Sequence, residues 1–199
     1  GASRLEDRTR QNQSADYLRT VRDSADAQVD WRVSPAHALG AGAMFAREQA
    51  SSESYGDSMR ADTDTVTLFA QDRIEAGRHR ALLALGYTDH ETAGDAVTWN
   101  VEYGYQLGGA TQIYGLAGTG FRAPDATDRY GFGGNPALEP ERSRSLEAGV
   151  RHRLDDRHAL SLAAFRNDID DLIEFVTISY DPFDGVNRNV EEARIEGIE

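Results

Sequence analysis

The sequence contains no cysteine and no lysine, so all 21 of its basic residues are arginine. The absence of cysteine excludes a disulfide scaffold and a cysteine-ligated metal site. Acidic residues outnumber basic ones, and the resulting net charge of -13 argues against a nucleic-acid partner. No apolar run approaches the roughly 18 residues of a membrane-crossing helix, a criterion that does not bear on strands.

The bulk composition does not separate a soluble domain from a membrane barrel. Hydrophobic residues make up 39% of the chain and charged residues 28%, and a transmembrane barrel has similar values because half of each strand and most of each loop are polar. The chain begins at Gly1 without a methionine or signal peptide, and it stops at Glu199 inside a strand-like segment. We therefore expect residues 1–199 to be a partial domain of a longer protein.

The segment Val97–Leu107, VTWNVEYGYQL, alternates without a break between apolar and polar residues. A period of two places successive side chains on opposite faces of a sheet, so this segment is predicted to be a strand with one apolar face. In a soluble sandwich that face meets a protein core, whereas in an outer-membrane barrel it meets lipid. The apolar side carries Val97, Trp99, Val101, Tyr103, Tyr105 and Leu107.

Other segments repeat this pattern and bring the prediction to about ten antiparallel strands. The strand predicted over 145–154 is informative because Glu147, Arg151 and Arg153 fall on its polar side. A wide barrel tolerates such charges facing its interior, but a close-packed sandwich core does not. Six further strands are assigned to 27–33, 37–47, 65–74, 79–88, 111–121 and 159–175, and the strand-like end of the chain at 193–199 continues the pattern.

The connections between these strands alternate in length. Tight turns rich in Gly, Pro and Asp are predicted at 34–36, 75–77, 108–109 and 155–157. Longer polar connections are predicted at 50–62, 89–96, 122–142 and 179–188. Because up-and-down strands place every second connection on the same side, the short turns share one rim and the long ones the other, as in outer-membrane barrels.

The region around the longest connection carries specific motifs. They are Gly120-Phe121-Arg122-Ala123-Pro124, Gly134-Asn135-Pro136 with Leu138, Pro140 and Glu141, then Ser145, Glu147 and Gly149, and later FRNDIDDLIEFV at 165–176 with Asn189, Ala193 and Gly197-Ile198-Glu199. In these blocks the chain resembles the TonB-dependent receptors of Gram-negative outer membranes. The strand pattern from Val21 to Leu116 is similar to that of the cobalamin receptors within this family.

The resemblance implies a 22-stranded transmembrane β-barrel, closed by an N-terminal plug domain that this sequence does not contain. It implies import of a scarce nutrient, with cobalamin as the first candidate and an iron-siderophore complex as the second. It further implies an outer-membrane location, contact with outer-membrane lipid, and energy delivered by the TonB complex through the plug. No catalysis is expected.

The long connection at 122–142 supports a structural and a functional interpretation. Proline and glycine at 124, 131, 133 and 134 end strand pairing and supply turn conformations, which lets the connection fold over the barrel mouth. The functional hypothesis is that Tyr130, Phe132 and Asn135 contact the ligand. Aromatic side chains on an exposed glycine-rich loop add little to the stability of the fold, so their presence there favours a role in binding.

The remaining candidate sites are weaker. The five histidines show no metal-ligand spacing, and His152 falls on the apolar side near a turn, as expected for an interfacial residue. The acidic segments 167–171 and 181–185 offer oxygen ligands for calcium but lack the EF-hand spacing, so we expect solvated carboxylates and no cofactor. No nucleophilic triad can be assigned.

Two functions from other classes remain open at this point. The chain could belong to a passive porin-like channel, which needs no plug, or to a soluble secreted β-sheet binding module. A soluble module would stay monomeric without detergent, whereas an incomplete barrel exposes an apolar belt and unpaired edges and would aggregate.

Overall fold

The computed structural model of the chain describes residues 1–10, 16–54, 57–180 and 183–199. They form one sheet of ten antiparallel strands in which every strand pairs with its neighbour in sequence. This up-and-down order confirms the predicted all-β class and strand number. The elements are β1 (Ala2–Arg10), β2 (Tyr17–Arg32), β3 (His37–Ser54), β4 (Asp57–Ala76), β5 (His79–His90), β6 (Gly94–Gln106), β7 (Thr111–Arg122), α1 (Ala126–Tyr130), β8 (Glu141–Arg153), β9 (Ala159–Tyr180) and β10 (Phe183–Ile198).

The strand register keeps the apolar residues together on one face of the sheet. Val101 of β6 lies opposite Leu83 of β5 and Ala117 of β7, and Ala117 in turn lies opposite Leu146 of β8. Because a slip of one residue would move every side chain to the other face, this register is what separates the two surfaces. We name them the apolar face, which carries Val101, and the polar face, which carries Asn100.

The apolar face is not covered by protein in the described part of the chain. Val97 is 60% exposed, Trp31 65% and Leu146 60%. Burying one such side chain is worth about 1.5–3 kcal/mol, so a soluble sandwich would pack this face against a second sheet. The buried apolar residues are instead few and mostly small, namely Val21, Ala46, Ala50, Ala96, Leu138 and Ala163.

The apolar face has polar boundaries at both ends. At one end Arg47 pairs with Asp64 at 2.6 Å, and at the other the ring nitrogen Nδ1 of His79 lies 2.7 Å from the hydroxyl of Tyr103. On β6 and the residue after it, the ten residue steps from Val97 to Leu107 rise roughly 24 Å at about 3.4 Å each and a tilt near 45°. That height matches the apolar band of a membrane barrel.

The short turns all lie at one end of the sheet, which we name the short-turn rim. Ser34 closes the first turn because its hydroxyl accepts hydrogen bonds from the backbone of Ala36 and His37, both at 3.2 Å. Asp155 does the same in the last one, accepting from the backbone N–H groups of Arg157 and His158. The bond from Arg157 is the main reason that the pKa of the Asp155 carboxyl lies below its ordinary value.

The opposite end, the long-connection rim, differs from the prediction. Three of the four connections expected to be long loops continue as paired strands: β3 and β4 pair as far as Ser54 and Asp57, β5 and β6 as far as His90 and Gly94, and β9 and β10 as far as Tyr180 and Phe183. The predicted loops at 50–62, 89–96 and 179–188 are therefore wrong, although positions 55–56 and 181–182 within them lie outside the described residues. Polar composition does not end a strand while its backbone groups still find partners across the hairpin.

Within the described strands, β1 and β10 form the two edges of the sheet and do not pair with each other. No helix among the described residues has the length and apolar character needed to cross a membrane. His152 lies on the apolar face, opposite Thr111 and Leu160, and its ring bonds the Thr111 hydroxyl at 2.8 Å. Its predicted position near a turn is confirmed.

Candidate functional site

The connection between β7 and β8 is the one long connection at this rim that folds as a loop in the described part of the chain. We name residues 123–140 the mouth loop. It contains α1, whose N-cap Asp125 accepts a hydrogen bond from the backbone of Asp128 at 2.8 Å. The Asp128 side chain in turn accepts from the backbone of Asp125 at 3.1 Å. This reciprocal capping, placed directly after Pro124, starts a helix where the strand has been stopped.

Arg122, the last residue of β7, ties the two ends of the mouth loop together. Its guanidinium donates to Glu141 at 2.7 Å and to Asp128 at 2.9 Å. Glu141 also accepts the backbone N–H of Ile173 from β9 at 2.9 Å. The side chains of Glu141 and Asp128 are only 13% and 19% exposed, so these charge-assisted bonds are shielded from water more than an ordinary surface ion pair.

Asn187 of β10 holds the middle of the loop. It is buried, and its backbone N–H donates to the carbonyl of Gly133 at 2.7 Å. Its side-chain amide donates to the carbonyl of Asp128 at 2.9 Å, and its own carbonyl accepts from the amide of Asn135 at 3.1 Å. One residue therefore binds the loop at three points.

Asn189 fixes the following part of the loop in the same way. Its side chain accepts from the backbone N–H of Glu139 and donates to the carbonyl of Glu139, both at 2.9 Å. The same amide donates to the carbonyl of Asp171 at 2.7 Å, where the backbone has a positive φ of 58°. Asn189 thus mimics a backbone partner for a loop that has left the sheet.

Arg129 of α1 binds the mouth loop to the β5–β6 turn. Its guanidinium donates to the carbonyl of Thr92, in the turn between β5 and β6, at 3.1 Å, and to the carbonyl of Pro136 at 2.8 Å. Nε of Arg129 is buried without a hydrogen-bond partner in the described part of the chain. The mouth loop is consequently held between the β5–β6 turn on one side and β10 on the other.

His90 organises the turn that receives Arg129. Its Nδ1 lies 3.2 Å from the backbone nitrogen of Ala93 and 3.4 Å from that of Thr92, and it accepts from both N–H groups. An acceptor nitrogen carries no proton, so this arrangement requires the neutral ring. Burial is the main cause that lowers the pKa of His90, and the positive charge of Arg129 acts in the same direction.

The structure separates the three predicted ligand-contacting residues. Tyr130 and Phe132 are 41% and 53% exposed, and Phe132 stacks on Phe175 of β9 with ring centroids 6.0 Å apart. Asn135 instead uses both ends of its amide within the chain, because its oxygen accepts from the backbone of Ala137 at 3.0 Å and its nitrogen donates to Asn187. Ligand contact by these residues stays a prediction, with the two aromatic rings better placed for it than Asn135.

No local sequence signal marks the residues that clamp the loop. Asn187 and Arg129 carry no motif of their own, and Asn189 belongs to the family-like pattern without an assigned role. Each acts on backbone groups that are distant in sequence, 37 residues away for Arg129 and Thr92 and 59 for Asn187 and Asp128. Such contacts follow from the sheet register and cannot be read from local spacing.

The polar face also carries a charged cluster nearer the short-turn rim. The hydroxyl of Tyr114 donates to Glu147 at 2.9 Å, and the guanidinium of Arg151 lies 4.4 Å from the centre of the Tyr114 ring. These residues line a depression of about 440 Å³ together with Arg73, Arg80 and Glu102. The predicted charges Glu147 and Arg151 therefore do face the polar side, where groups of opposite charge lie together.

The acidic segments considered for calcium make other contacts. Asp168 is paired with Arg166 at 2.7 Å and with Arg194 at 2.6 Å, and Asp170 is paired with Arg144 at 3.2 Å. In the ranges 1–10, 16–54, 57–180 and 183–199, no three His, Asp or Glu side chains converge as a metal-ligand set. The segment 181–185 lies partly outside the described residues.

Comparisons with known proteins agree on one family. The family model "TonB dependent receptor-like, beta-barrel" matches residues 2–199. The chain is 29% identical over 189 residues to "Vitamin B12 transporter BtuB" of Vibrio vulnificus, covering 92% of the chain and 30% of that protein. It is 30% identical over 193 residues to the protein of the same name from Photobacterium profundum, covering 94% and 31%.

Solved structures share the fold. The siderophore receptor PirA from Pseudomonas aeruginosa superposes with a TM-score of 0.79 at 20% identity, over 92% of this chain and 39% of that one. The copper transporter OprC gives a TM-score of 0.78 at 16% identity, over 92% and 35%. The chain thus spans about a third of the length of the curated relatives it matches. It belongs to the TonB-dependent receptors, in whose outer-membrane β-barrel domain residues 2–199 lie.

Proposed function

We propose that the receptor containing this chain captures a scarce nutrient at the long-connection rim and imports it across the outer membrane with energy from the TonB complex. The observation that carries the proposal is the mouth loop, which is clamped on two sides and presents the exposed rings of Tyr130 and Phe132. The TonB complex would act through the plug domain that the family resemblance implies. The chain performs no chemistry on its cargo.

Cobalamin is the first candidate for the cargo. Both curated relatives described above are named vitamin B12 transporters, and each matches more than nine tenths of this chain. An iron-siderophore complex is the second candidate, because siderophore receptors share the fold. At 20% identity or less, that likeness reports the fold and not the cargo, so sequence similarity favours cobalamin.

The apolar face contacts membrane lipid in this proposal. Its residues are exposed in a band about as tall as a bilayer's hydrocarbon core, and ion pairs such as Arg47–Asp64 mark the edge of that band. A soluble binding module would not leave such a surface exposed to water, because large exposed apolar patches promote aggregation. A passive porin shares the lipid-facing band but not the dependence on TonB.

Uptake by the full-length receptor tests the function. In a Gram-negative strain that lacks its own cobalamin transporter, radiolabelled cyanocobalamin should accumulate only when both the receptor and a functional TonB complex are present. Accumulation without TonB would establish a passive channel and overturn the proposal. Uptake of ferric enterobactin without uptake of cyanocobalamin would assign the siderophore cargo instead.

The lipid contact has its own test in the unfolding of the detergent-solubilised receptor by urea. Val101→Arg places a charge near the middle of the apolar band and should cost about 2–4 kcal/mol. The neighbouring Asn100→Arg points to the polar face and should change stability little. Tyr105→Leu should also be tolerated against fluid lipid, so a loss comparable to that of Val101→Arg would mean that the face packs against protein.

A further inference from the structure

The charged cluster around Tyr114 lines a depression of about 440 Å³ on the polar face near the short-turn rim. This volume falls within the range of about 300–1,000 Å³ that is typical of small-molecule sites. When the apolar face meets lipid, the polar face lines the inside of the barrel, so a solute that crosses the barrel passes this wall. We name it the short-turn depression. Its charged lining consists of Arg73, Glu75, Arg80, Glu102, Glu147 and Arg151.

Two glycines leave the space that the short-turn depression occupies. Gly104 lies between Arg80 of β5 and Tyr114 of β7 in one row across the strands. Gly149 is the next residue in this row, opposite Tyr114. A Cβ at Gly149 would lie 2.6 Å from the ring and the hydroxyl of Tyr114, so the aromatic ring takes the place of a side chain there. The ring and the Arg80 side chain therefore line the depression on either side of Gly104.

Two of the three carboxylates in the short-turn depression already bind neutral donors. Glu147 accepts a hydrogen bond from the hydroxyl of Tyr114 at 2.9 Å. Glu102 accepts one from the side-chain amide of Asn100, also at 2.9 Å. These two carboxylates are thus partly satisfied without a guanidinium group.

The arginines keep donors available for a ligand. In the described part of the chain, the guanidinium groups of Arg73 and Arg80 form no ion pair and no hydrogen bond. The strand register places Glu75 opposite Arg80, yet these two side chains are not paired. The guanidinium of Arg151 lies 4.4 Å from the centre of the Tyr114 ring, and a guanidinium stacked on a ring still presents N–H groups at its edge.

This arrangement favours one class of ligand. The planar fork of a guanidinium group pairs with two phosphate oxygens at once, and the Tyr114 ring offers an apolar surface for the organic part of a phosphate ester. Three carboxylates balance the three arginines in the same depression. A polyanion would therefore meet repulsion, and a ligand with a single negative charge is favoured. A phosphodiester has this charge.

We propose that the short-turn depression is a second site for the cargo, which holds it by a phosphodiester group after it has left the mouth loop. Cobalamin, the first candidate for the cargo, contains one phosphodiester between its corrin side chain and its nucleotide base. The inference rests on the proposed function, because it assumes that a cargo crosses the barrel.

The position of the short-turn depression separates it from capture at the mouth loop. Ten residue steps along β5 lead from Arg80 to His90, which organises the turn that receives Arg129. At about 3.4 Å each and a tilt near 45°, they span roughly 24 Å. A transport path needs sites that attract the solute but also release it. Exposed guanidinium groups meet this need, because their ion pairs in water are weak.

Initial uptake rates of two cargoes by the full-length receptor test this second site. Radiolabelled cyanocobalamin contains the phosphodiester, whereas radiolabelled cobinamide has the same corrin without the phosphodiester and the nucleotide base. In the strain with a functional TonB complex, Arg80→Gln should slow uptake of cyanocobalamin about five- to tenfold, as expected for loss of one charge-assisted contact. Uptake of cobinamide should stay within about twofold of the wild type. Arg80→Lys keeps the positive charge and should retain at least about half of the cyanocobalamin rate.

Arg32→Gln is the matched control. Arg32 lies on the same face at the same rim, two strands away from Arg73, but it does not line the short-turn depression. Both uptake rates should therefore stay within about twofold of the wild type in this variant. Titration of the purified receptor with cyanocobalamin measures capture at the mouth loop, and its Kd should change less than about twofold in Arg80→Gln, since the two sites are far apart.

Three outcomes would overturn the second site. Unchanged uptake of cyanocobalamin in Arg80→Gln would show that the guanidinium does not act on this cargo. Equal slowing of both cargoes would assign Arg80 to the stability of the barrel or to contact with the plug. A Kd raised about tenfold in the titration would place Arg80 in the capture step. Lack of uptake of either cargo by the wild type would instead overturn the proposed function, and the second site with it.

Discussion

Two connections at the same rim of this sheet take opposite forms. The β3–β4 hairpin continues as paired strand to Ser54 and Asp57, well beyond Phe45. The chain after Arg122 instead leaves the sheet and is bound by Asn187 and Asn189 of β10 as the mouth loop. Both segments are polar and both are rich in small residues. Polarity therefore does not decide between an extended hairpin and a folded loop.

The difference lies in how backbone groups are satisfied. In the hairpin each strand supplies backbone hydrogen bonds to the other, so its backbone groups need few side-chain partners. Pro124, Pro136 and Pro140 interrupt such pairing in the mouth loop, and the freed groups are satisfied by side chains of β10 and α1, chiefly Asn187, Asn189 and Arg129. The loop should be sensitive to single substitutions and the hairpin should not.

The largest effect is expected at Gly133. This residue has φ of 65°, and an added Cβ would lie 2.6 Å from the carbonyl oxygen of Gly185 and from the Phe175 ring. Gly133→Ala should weaken docking of the loop by about 2–5 kcal/mol, the combined cost of the backbone conformation and the clash. Hydrogen exchange of residues 126–138 in the full-length receptor measures it.

Gly77→Ala provides the control for that substitution. Gly77 has a similar φ of 62°, but nothing lies within 4 Å of the added Cβ. Only the backbone cost of about 1–2 kcal/mol remains, and it falls on the β4–β5 turn at the short-turn rim, away from the mouth loop. Equal effects of the two substitutions on exchange in the mouth loop would show that Gly133 is not packed as the structure has it.

Asn187→Ala should have the next largest effect. It removes the amide that donates to the carbonyl of Asp128. That carbonyl keeps the backbone N–H of Asn135 at 3.0 Å, so the expected cost is that of one lost hydrogen bond, about 0.5–1.5 kcal/mol. Exchange in the mouth loop should accelerate while urea unfolding of the barrel changes little. Asn100→Ala is the comparison, because among the described residues the amide of Asn100 donates only to the exposed Glu102. Loss of loop protection in that variant would contradict the account.

Docking of the loop should weaken on acidification through His90. Burial and Arg129 lower the pKa of His90, with Asp89 and Glu91 opposing them, so the folded state prefers the neutral ring. The stabilisation is complete above the ordinary histidine value of about 6.5 and is lost as the pH falls toward the lowered pKa. Hydrogen-exchange protection of residues 126–138, corrected for the intrinsic exchange rates, measures this loss of docking between about pH 7.5 and 5.

The variant His90→Asn isolates this dependence. Its side-chain oxygen can accept the same backbone N–H groups but does not titrate in this range. The variant should therefore keep its loop protection at the acidic end of the range. A pH dependence identical to that of the wild type would assign the titration to another group.

The smallest effect is expected in the β3–β4 hairpin. Glu48 and Thr63 face each other on the polar side of its extension, and Glu48→Gln with Thr63→Ala should change stability by less than about 0.5 kcal/mol, since the backbone pairing is untouched. Urea unfolding of the receptor measures the change. A loss as large as that of Asn187→Ala would remove the contrast between the two connections.

These two connections also show which features of the fold can be predicted from the sequence and which cannot. Alternation in segments such as Val97–Leu107 predicted the strands and their two faces, because a period of two is a local property. The same reasoning led to wrong loops at 50–62, 89–96 and 179–188, since pairing depends on a partner strand that composition does not report. The helix α1 was not predicted, although Pro124 followed by Asp125 and Asp128 is a local capping signal.

The candidate site was predictable only in part. The glycine-rich pattern led to Tyr130 and Phe132, whose rings are exposed. It also led to Asn135, whose amide is occupied by Ala137 and Asn187. The clamp itself joins residues 37 to 59 positions apart, and such contacts are set by the register of the sheet and not by any local motif.

The affinity of the full-length receptor for cyanocobalamin, measured by titration, tests the central claim that the clamped mouth loop captures the cargo. The double substitution Tyr130→Ala, Phe132→Ala should weaken binding at least about tenfold, because each buried aromatic contact is worth about 1 kcal/mol or more. Tyr180→Ala, at a residue that is 85% exposed on the same rim but outside the loop, should bind like the wild type. Unchanged affinity in the double variant would contradict the account.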